Sequence, residues 1–133
     1  MEFFTSKKIS ERVTRICDCA DTKMYLVEGN NMTALIDTGS GVGNLYEYVR
    51  ILTDKPLIVI LTHGHLDHAM GTGIFPYEVP IYMNEMDEAL YKKDSDTKRR
   101  QEYVKSQQLL RGQFFYLTMI ALVFRSLKHP LKN

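Results

Sequence analysis

Hydrophobic and polar positions change their period along this chain. Arg12 to Cys17 carries Val13 and Ile16 among polar residues and predicts a short strand. Met24-Tyr25-Leu26-Val27 predicts a second. Gly29-Asn30-Asn31 is a turn cluster, after which Thr33-Ala34-Leu35-Ile36 is apolar again, so the two runs predict a β-hairpin. Asp37-Thr38-Gly39-Ser40-Gly41 then breaks the strand. Beyond it, Leu45, Tyr48, Val49 and Leu52 recur at helical spacing and predict a helix from about Val42 to Thr53, stopped by Pro56.

Leu57-Ile58-Val59-Ile60-Leu61 is apolar at every position, the pattern of a central strand covered on both faces. Val79-Pro80-Ile81-Tyr82-Met83 predicts another strand, with Pro80 at its start or on a sheet edge. Asn84 is placed to cap a helix reaching Lys92, with Asp87 near its positive end. Lys92 to Arg100 mixes both signs of charge and predicts a solvated turn and helix start. A weakly amphipathic helix is expected from about Thr97 to Leu110, and the apolar run Phe114 to Phe124 predicts one or two closing strands. Strands first and strand–helix alternation afterwards define an α/β (α+β) class. No repeat, low-complexity tract or linker divides the 133 residues, so one domain over 1–133 is expected.

Composition removes several classes of function. With 17 basic and 16 acidic residues the net charge is +1, which gives no electrostatic reason to expect nucleic acid or an anionic membrane. The first residues lack the apolar core of a signal peptide. The run Phe114 to Phe124 is shorter than the roughly 20 residues a bilayer span needs. A cytoplasmic protein acting on a small-molecule substrate is the expectation. Cys17 and Cys19 are only two apart, and such neighbours rarely bridge, so free thiols are expected.

The chemistry concentrates in His63-Gly64-His65-Leu66-Asp67-His68, which holds three of the chain's four histidines and a carboxylate. Imidazole nitrogen and carboxylate oxygen are zinc ligands, and iron and manganese accept them too. In an extended segment His63 and His65 point to the same side and can converge on one ion. Asp67 and His68 lie beyond, where the chain must turn, and can face a second ion. The cluster follows a buried strand, the usual place for sites in α/β sheets. Two ions side by side acidify a shared water and polarise the bond it attacks, while a carboxylate orients the water or takes its proton. Upstream, Asp37 and Thr38 either end a strand in a turn or hydrogen-bond a ligand histidine from behind.

The stretch Leu61 to His68 resembles the signature of the metallo-β-lactamase superfamily, His-x-His-x-Asp-His after a buried strand. Leu35 to Gly39 resembles that family's upstream Asp-Thr-Gly segment, and Gly71 matches a glycine that often follows the histidines. The resemblance spans roughly Ile16 to Met83. It implies an αββα sandwich, of which this chain supplies mainly the first sheet with its helices. It also implies a zinc-dependent hydrolase of ester, thioester or related bonds, with up to two zinc ions. His63 and His65 would then serve the first metal, and Asp67 and His68 the second. Asp67 would be the catalytic residue that positions the attacking water. The thioesterases related to hydroxyacylglutathione hydrolase (glyoxalase II) are the expected neighbourhood.

Complete members of that family are longer and supply further ligands downstream: a third histidine, a bridging aspartate and a last histidine. Here the only downstream histidine is His129, at roughly the expected distance but in a setting, Leu127-Lys128-His129-Pro130-Leu131, unlike the family turn. The last aspartate is Asp96. The expectation is therefore a domain truncated at its C-terminus, with an incomplete site and an uncovered sheet through which copies can associate as homo-oligomers. The alternative to a hydrolase is a non-catalytic metal-binding remnant or an oligomerising interaction module.

Overall fold

The computed structural model describes residues 3–111. Alternate residues of successive strands turn to one face and build the core there. In β2 (Val13–Asp18) these are Thr14, Ile16 and Asp18. In β3 (Lys23–Glu28) they are Met24 and Leu26, in β4 (Thr33–Ile36) Thr33 and Leu35, and in β5 (Leu57–Ile60) Leu57 and Val59. Ile16, Met24, Leu35, Val59 and Ile81 are wholly inaccessible. Each such side chain contributes about 1.5–3 kcal/mol on burial.

Two further strands complete a six-stranded sheet of order β1-β2-β3-β4-β5-β6. β1 (Phe4–Lys8) pairs antiparallel with β2 and has no counterpart in the sequence-based expectation. Only Phe4 of its residues is buried, and the polar run after it carries no alternating apolar signal. β6 (Ile81–Tyr82) pairs with β5 and follows directly on Pro80. β1 to β4 form an antiparallel meander, whereas β4, β5 and β6 run parallel. Parallel neighbours need crossover connections. α1 (Leu45–Leu52) supplies one between β4 and β5; α2 (Leu66–Ala69), continued by a 3-10 turn (Met70–Ile74), lies between β5 and β6.

α1 begins three residues later than its periodicity suggests, because the Asn44 side chain accepts from the Glu47 amide at 3.2 Å and caps it there. Leu45 and Val49, one turn apart, plug into the core. At the other end Arg50 Nη1 donates to the carbonyls of Thr53 (3.4 Å) and Lys55 (2.7 Å), so the helix closes before Pro56.

Three expectations need correction. β5 is covered on one face only among the described residues: Ile58 is half-buried and Ile60 is 37% exposed. Register lines Ile60 up with Ile36 and Tyr82, and Ile58 with Ala34, so the open face is apolar across several strands. The helix expected from Asn84 is divided. Asn84 caps a 3-10 turn (Glu85–Asp87) by accepting from the Met86 amide at 2.9 Å, and α3 (Glu88–Asp94) follows. The charged run Lys92 to Arg100 is not wholly solvated. Asp94 and Arg100 are both buried, Asp94 accepting from Arg99 Nε at 3.0 Å. Ser95 Oγ donates to the Tyr91 carbonyl where the chain turns into α4 (Thr97–Arg111).

The result is an α+β fold: among the described residues, a mixed six-stranded sheet with four α-helices, corresponding to part of the expected sandwich. No helix among the described residues is long and apolar enough to cross a membrane. Cys17 and Cys19 are not joined in a disulfide. The expected strands in Phe114 to Phe124, and His129, lie outside the described residues.

Candidate metal centre

β4 and β5 end side by side, and their continuations meet. Asp37 follows β4 with φ of 65°, its amide donating to the Ile60 carbonyl at 2.9 Å. Left-handed backbone is uncommon outside glycine, though aspartate is among the residues that tolerate it. The turn aims the buried Asp37 carboxylate across the end of β5. There it accepts from the Thr62 amide (2.8 Å) and the Thr62 hydroxyl (2.9 and 3.0 Å), and pairs with Nδ1 of His68 at 2.8 Å.

These contacts decide which imidazole nitrogens are free. A hydroxyl has one hydrogen to give. Between Thr62 Oγ1 and an ionised Asp37 that hydrogen lies toward the carboxylate, so Thr62 Oγ1 accepts from His63 Nδ1, 2.9 Å away. His68 Nδ1 likewise donates to Asp37. Both rings are therefore turned with Nδ1 toward these partners, which leaves Nε2 as the nitrogen available to a metal. Asp37 acts on His68 directly and on His63 through Thr62.

The loop after Asp37 grips the same histidine from its backbone side. The amide and hydroxyl of Thr38 both donate to the His68 carbonyl, at 2.7 and 3.0 Å. Gly39 pairs with Ala69 in an isolated bridge. A Cβ on Gly71 would collide with the Thr38 carbonyl, so the close approach of these two segments requires glycine there. Gly64 is equally constrained: a Cβ would stand 2.6 Å from the Tyr91 amide nitrogen in α3.

The structure brings the three motif histidines together. The rings of His63 and His68 are 4.2 Å apart between centroids, and those of His63 and His65 are 4.8 Å apart. Asp67 Oδ2 lies 3.6 Å from His68 Nε2, and its side chain is 44% exposed. Among the described residues no three histidine, cysteine or acidic groups close into a complete ligand cluster. His63, His65, Asp67 and His68 are donor types that a divalent ion accepts, but as arranged here they form an open set. Asp37 and Thr38 stand behind His68, and Thr62, which the sequence did not single out, relays Asp37 to His63.

The chain belongs to the metallo-beta-lactamase superfamily, whose sequence model matches residues 18–107. Members of that superfamily are typically metal-dependent hydrolases. Among solved structures, it is similar to a metallo-beta-lactamase from Erythrobacter litoralis with beta-mercaptoethanol in the active site: TM-score 0.61, 16% identity, covering 71% of this chain and 47% of that one. It is also similar to the metallo-beta-lactamase FIM-1 from Pseudomonas aeruginosa in a mono-zinc form: TM-score 0.59, 16% identity, covering 68% of this chain and 46% of that one. The matched region thus spans about half the length of these structures. No curated protein matches the chain.

Proposed function

We propose that this chain is the metal-binding N-terminal part of a zinc-dependent hydrolase acting on an ester, thioester or related bond of a small molecule. One observation carries the reading: Nδ1 of His68 is bonded to the buried Asp37 carboxylate, and Nδ1 of His63 to Thr62, which is bonded to the same carboxylate. A surface loop rich in histidine has no need of such an arrangement.

His63 and His65 would hold one ion, and Asp67 and His68 a second. Such an ion supplies Lewis-acid chemistry, lowering the pKa of water and polarising the bond under attack. The chain's own residues do the rest. Asp37 bonds Nδ1 of His68, so the ring cannot turn that nitrogen away without losing a charge-assisted bond. Asp67, next to His68 and partly exposed, is placed to orient an attacking water and to take its proton at Oδ2. Zinc is the proposed ion, with iron or manganese as accepted alternatives.

The test is metal content per chain, measured together with oligomeric state and with hydrolysis of thioester and ester reporters. His63→Ala and His65→Ala should each lose metal and turnover. Turnover that survives in either variant would refute metal catalysis at this site.

A second reading rests on the open ligand set and the open apolar face of the sheet. In that reading the chain is a non-catalytic metal-binding or self-associating module. It predicts weak zinc uptake, no turnover and a concentration-dependent oligomer. Near two zinc ions per chain with measurable turnover would exclude it.

A further inference from the structure

Asp18 is an acid in a core register position. It ends β2 in line with Thr14 and Ile16, and is 6% exposed. Burying a carboxylate is costly unless its oxygens are fully used, and here they are. Oδ1 accepts from the amides of Ala20 and Thr22, both at 2.9 Å. Oδ2 accepts from the Ser40 amide at 2.9 Å and the Ser40 hydroxyl at 2.7 Å. The first pair closes the β2–β3 turn. The second pair reaches 22 residues along the chain to the loop that follows β4.

That loop is the one that holds His68. Ser40 lies two residues after Thr38, whose amide and hydroxyl fix the His68 carbonyl, and three after Asp37, whose carboxylate fixes the His68 ring. Asp37, Gly39 and Gly41 all have positive φ, so hydrogen bonds inside a regular element do not hold this segment. Asp18 grips it at Ser40, beside Gly39.

We infer that Asp18 is a positioning residue for the metal centre: through Ser40 it fixes the Asp37–Ser40 loop, and through that loop the placement of His68. This rests on the metal reading above for its functional meaning. The connection itself stands on the hydrogen bonds alone.

Two variants test it. Asp18→Asn keeps the shape but leaves one acceptor oxygen for two pairs of donors, so one pair is lost. Ser40→Ala removes only the hydroxyl bond and leaves the β2–β3 turn intact, which keeps the test usable should Asp18→Asn fold poorly. The first readout needs no metal: amide hydrogen exchange of the metal-free full chain. Thr38 should exchange about tenfold faster in either variant, the change expected for one lost buried hydrogen bond. The Val59 amide, bonded to Pro80 in the sheet, should not change. The second readout is cobalt(II) binding followed by its visible absorption spectrum. Affinity should fall about tenfold or more with an altered ligand-field band, as for other supports of metal ligands.

Wild-type exchange at Thr38 in both folded variants would overturn the positioning role, whatever the metal data show. Faster Thr38 exchange with unchanged cobalt affinity and spectrum would also overturn it, leaving Asp18 merely structural. Failure of the unaltered chain to bind cobalt or zinc would instead defeat the metal reading, while the exchange experiment would still decide whether Asp18 holds the loop.

Discussion

Asp37 and His68 meet at 2.8 Å across the ends of two parallel strands, carboxylate oxygen to ring Nδ1. The contact joins residues 31 apart in sequence, and the buried Asp37 brings to it two further donors from Thr62. One carboxylate thereby orients His68 directly and His63 by relay through Thr62.

Asp37→Asn should separate these roles. Asparagine tolerates the left-handed backbone that position 37 requires, so the fold should survive. Its side chain keeps one acceptor oxygen and loses the charge. Zinc affinity should drop about 10–100-fold, the usual effect of removing the partner of a ligand histidine. A competition titration against a chelator reads this directly. Affinity equal to wild type would show that Asp37 does not govern the histidines.

Much of this was legible from sequence, for identifiable reasons. The β2, β3 and β4 runs show because alternation of burial is strongest where one sheet face is packed and the other open. The histidine motif and Asp37 show because all their chemistry lies at two strand ends. β1 shows no alternating pattern because only Phe4 of its residues enters the core, and backbone pairing with β2 accounts for the rest. Asp18 lies one residue beyond the strand expected to end at Cys17, and it continues the alternation of Thr14 and Ile16 into the core, a position where sequence pattern does not anticipate an acid. Arg100 sits in a charge run that normally is solvated, and only tertiary packing buries it.

Gly64→Ala tests the packing of α3 on the metal loop. The added Cβ would meet the Tyr91 amide nitrogen at 2.6 Å and its Cα at 2.9 Å, and backbone cannot move aside as a flexible side chain can. Overpacking of this kind costs about 1–3 kcal/mol. Urea unfolding should show a lower midpoint at unchanged slope, and metal affinity should fall with it because His63 and His65 flank the displaced residue. A midpoint equal to wild type would mean that α3 is free to shift away.

Cys17 gives a prediction about acidity. Burial pushes its thiol above the ordinary range, and the hydrogen bond to Asp21 Oδ1 (3.4 Å) and the Asp21 charge push it the same way. The reactive thiolate is therefore scarce at mildly alkaline pH. In a Cys19→Ser background, Cys17 should be alkylated by iodoacetamide more slowly than free cysteine, and the rate should rise only at higher pH. Asp21→Asn should speed the reaction by removing the charge that opposes ionisation. Equal rates with and without Asp21 would contradict this account.

Arg100 offers the sharpest stability test. It is 1% exposed, and its Nε and Nη1 have no hydrogen-bond partner among the described residues. It lines a cleft behind the metal loop with Gly64, Leu66, Met70 and Tyr91. Burial pushes the guanidinium pKa down, with Tyr91 and Asp94 pulling weakly the other way. For a base with a depressed folded pKa, the charged form is penalised in the folded state. That cost is fully present at neutral pH, and acidification does not relieve it. Asp94 keeps Arg99 as its partner when Arg100 is gone. Arg100→Met retains an apolar stem and removes the unpaired donors, so it should stabilise the fold by about 1–3 kcal/mol, the usual cost of a buried unsatisfied polar group. Arg100→Ala should gain less or lose, because it also vacates the cleft. Arg100→Lys should gain little, because the buried charge remains. Urea unfolding of the three variants at neutral pH separates these terms. A destabilised Arg100→Met would mean that the guanidinium has an acceptor worth more than its desolvation.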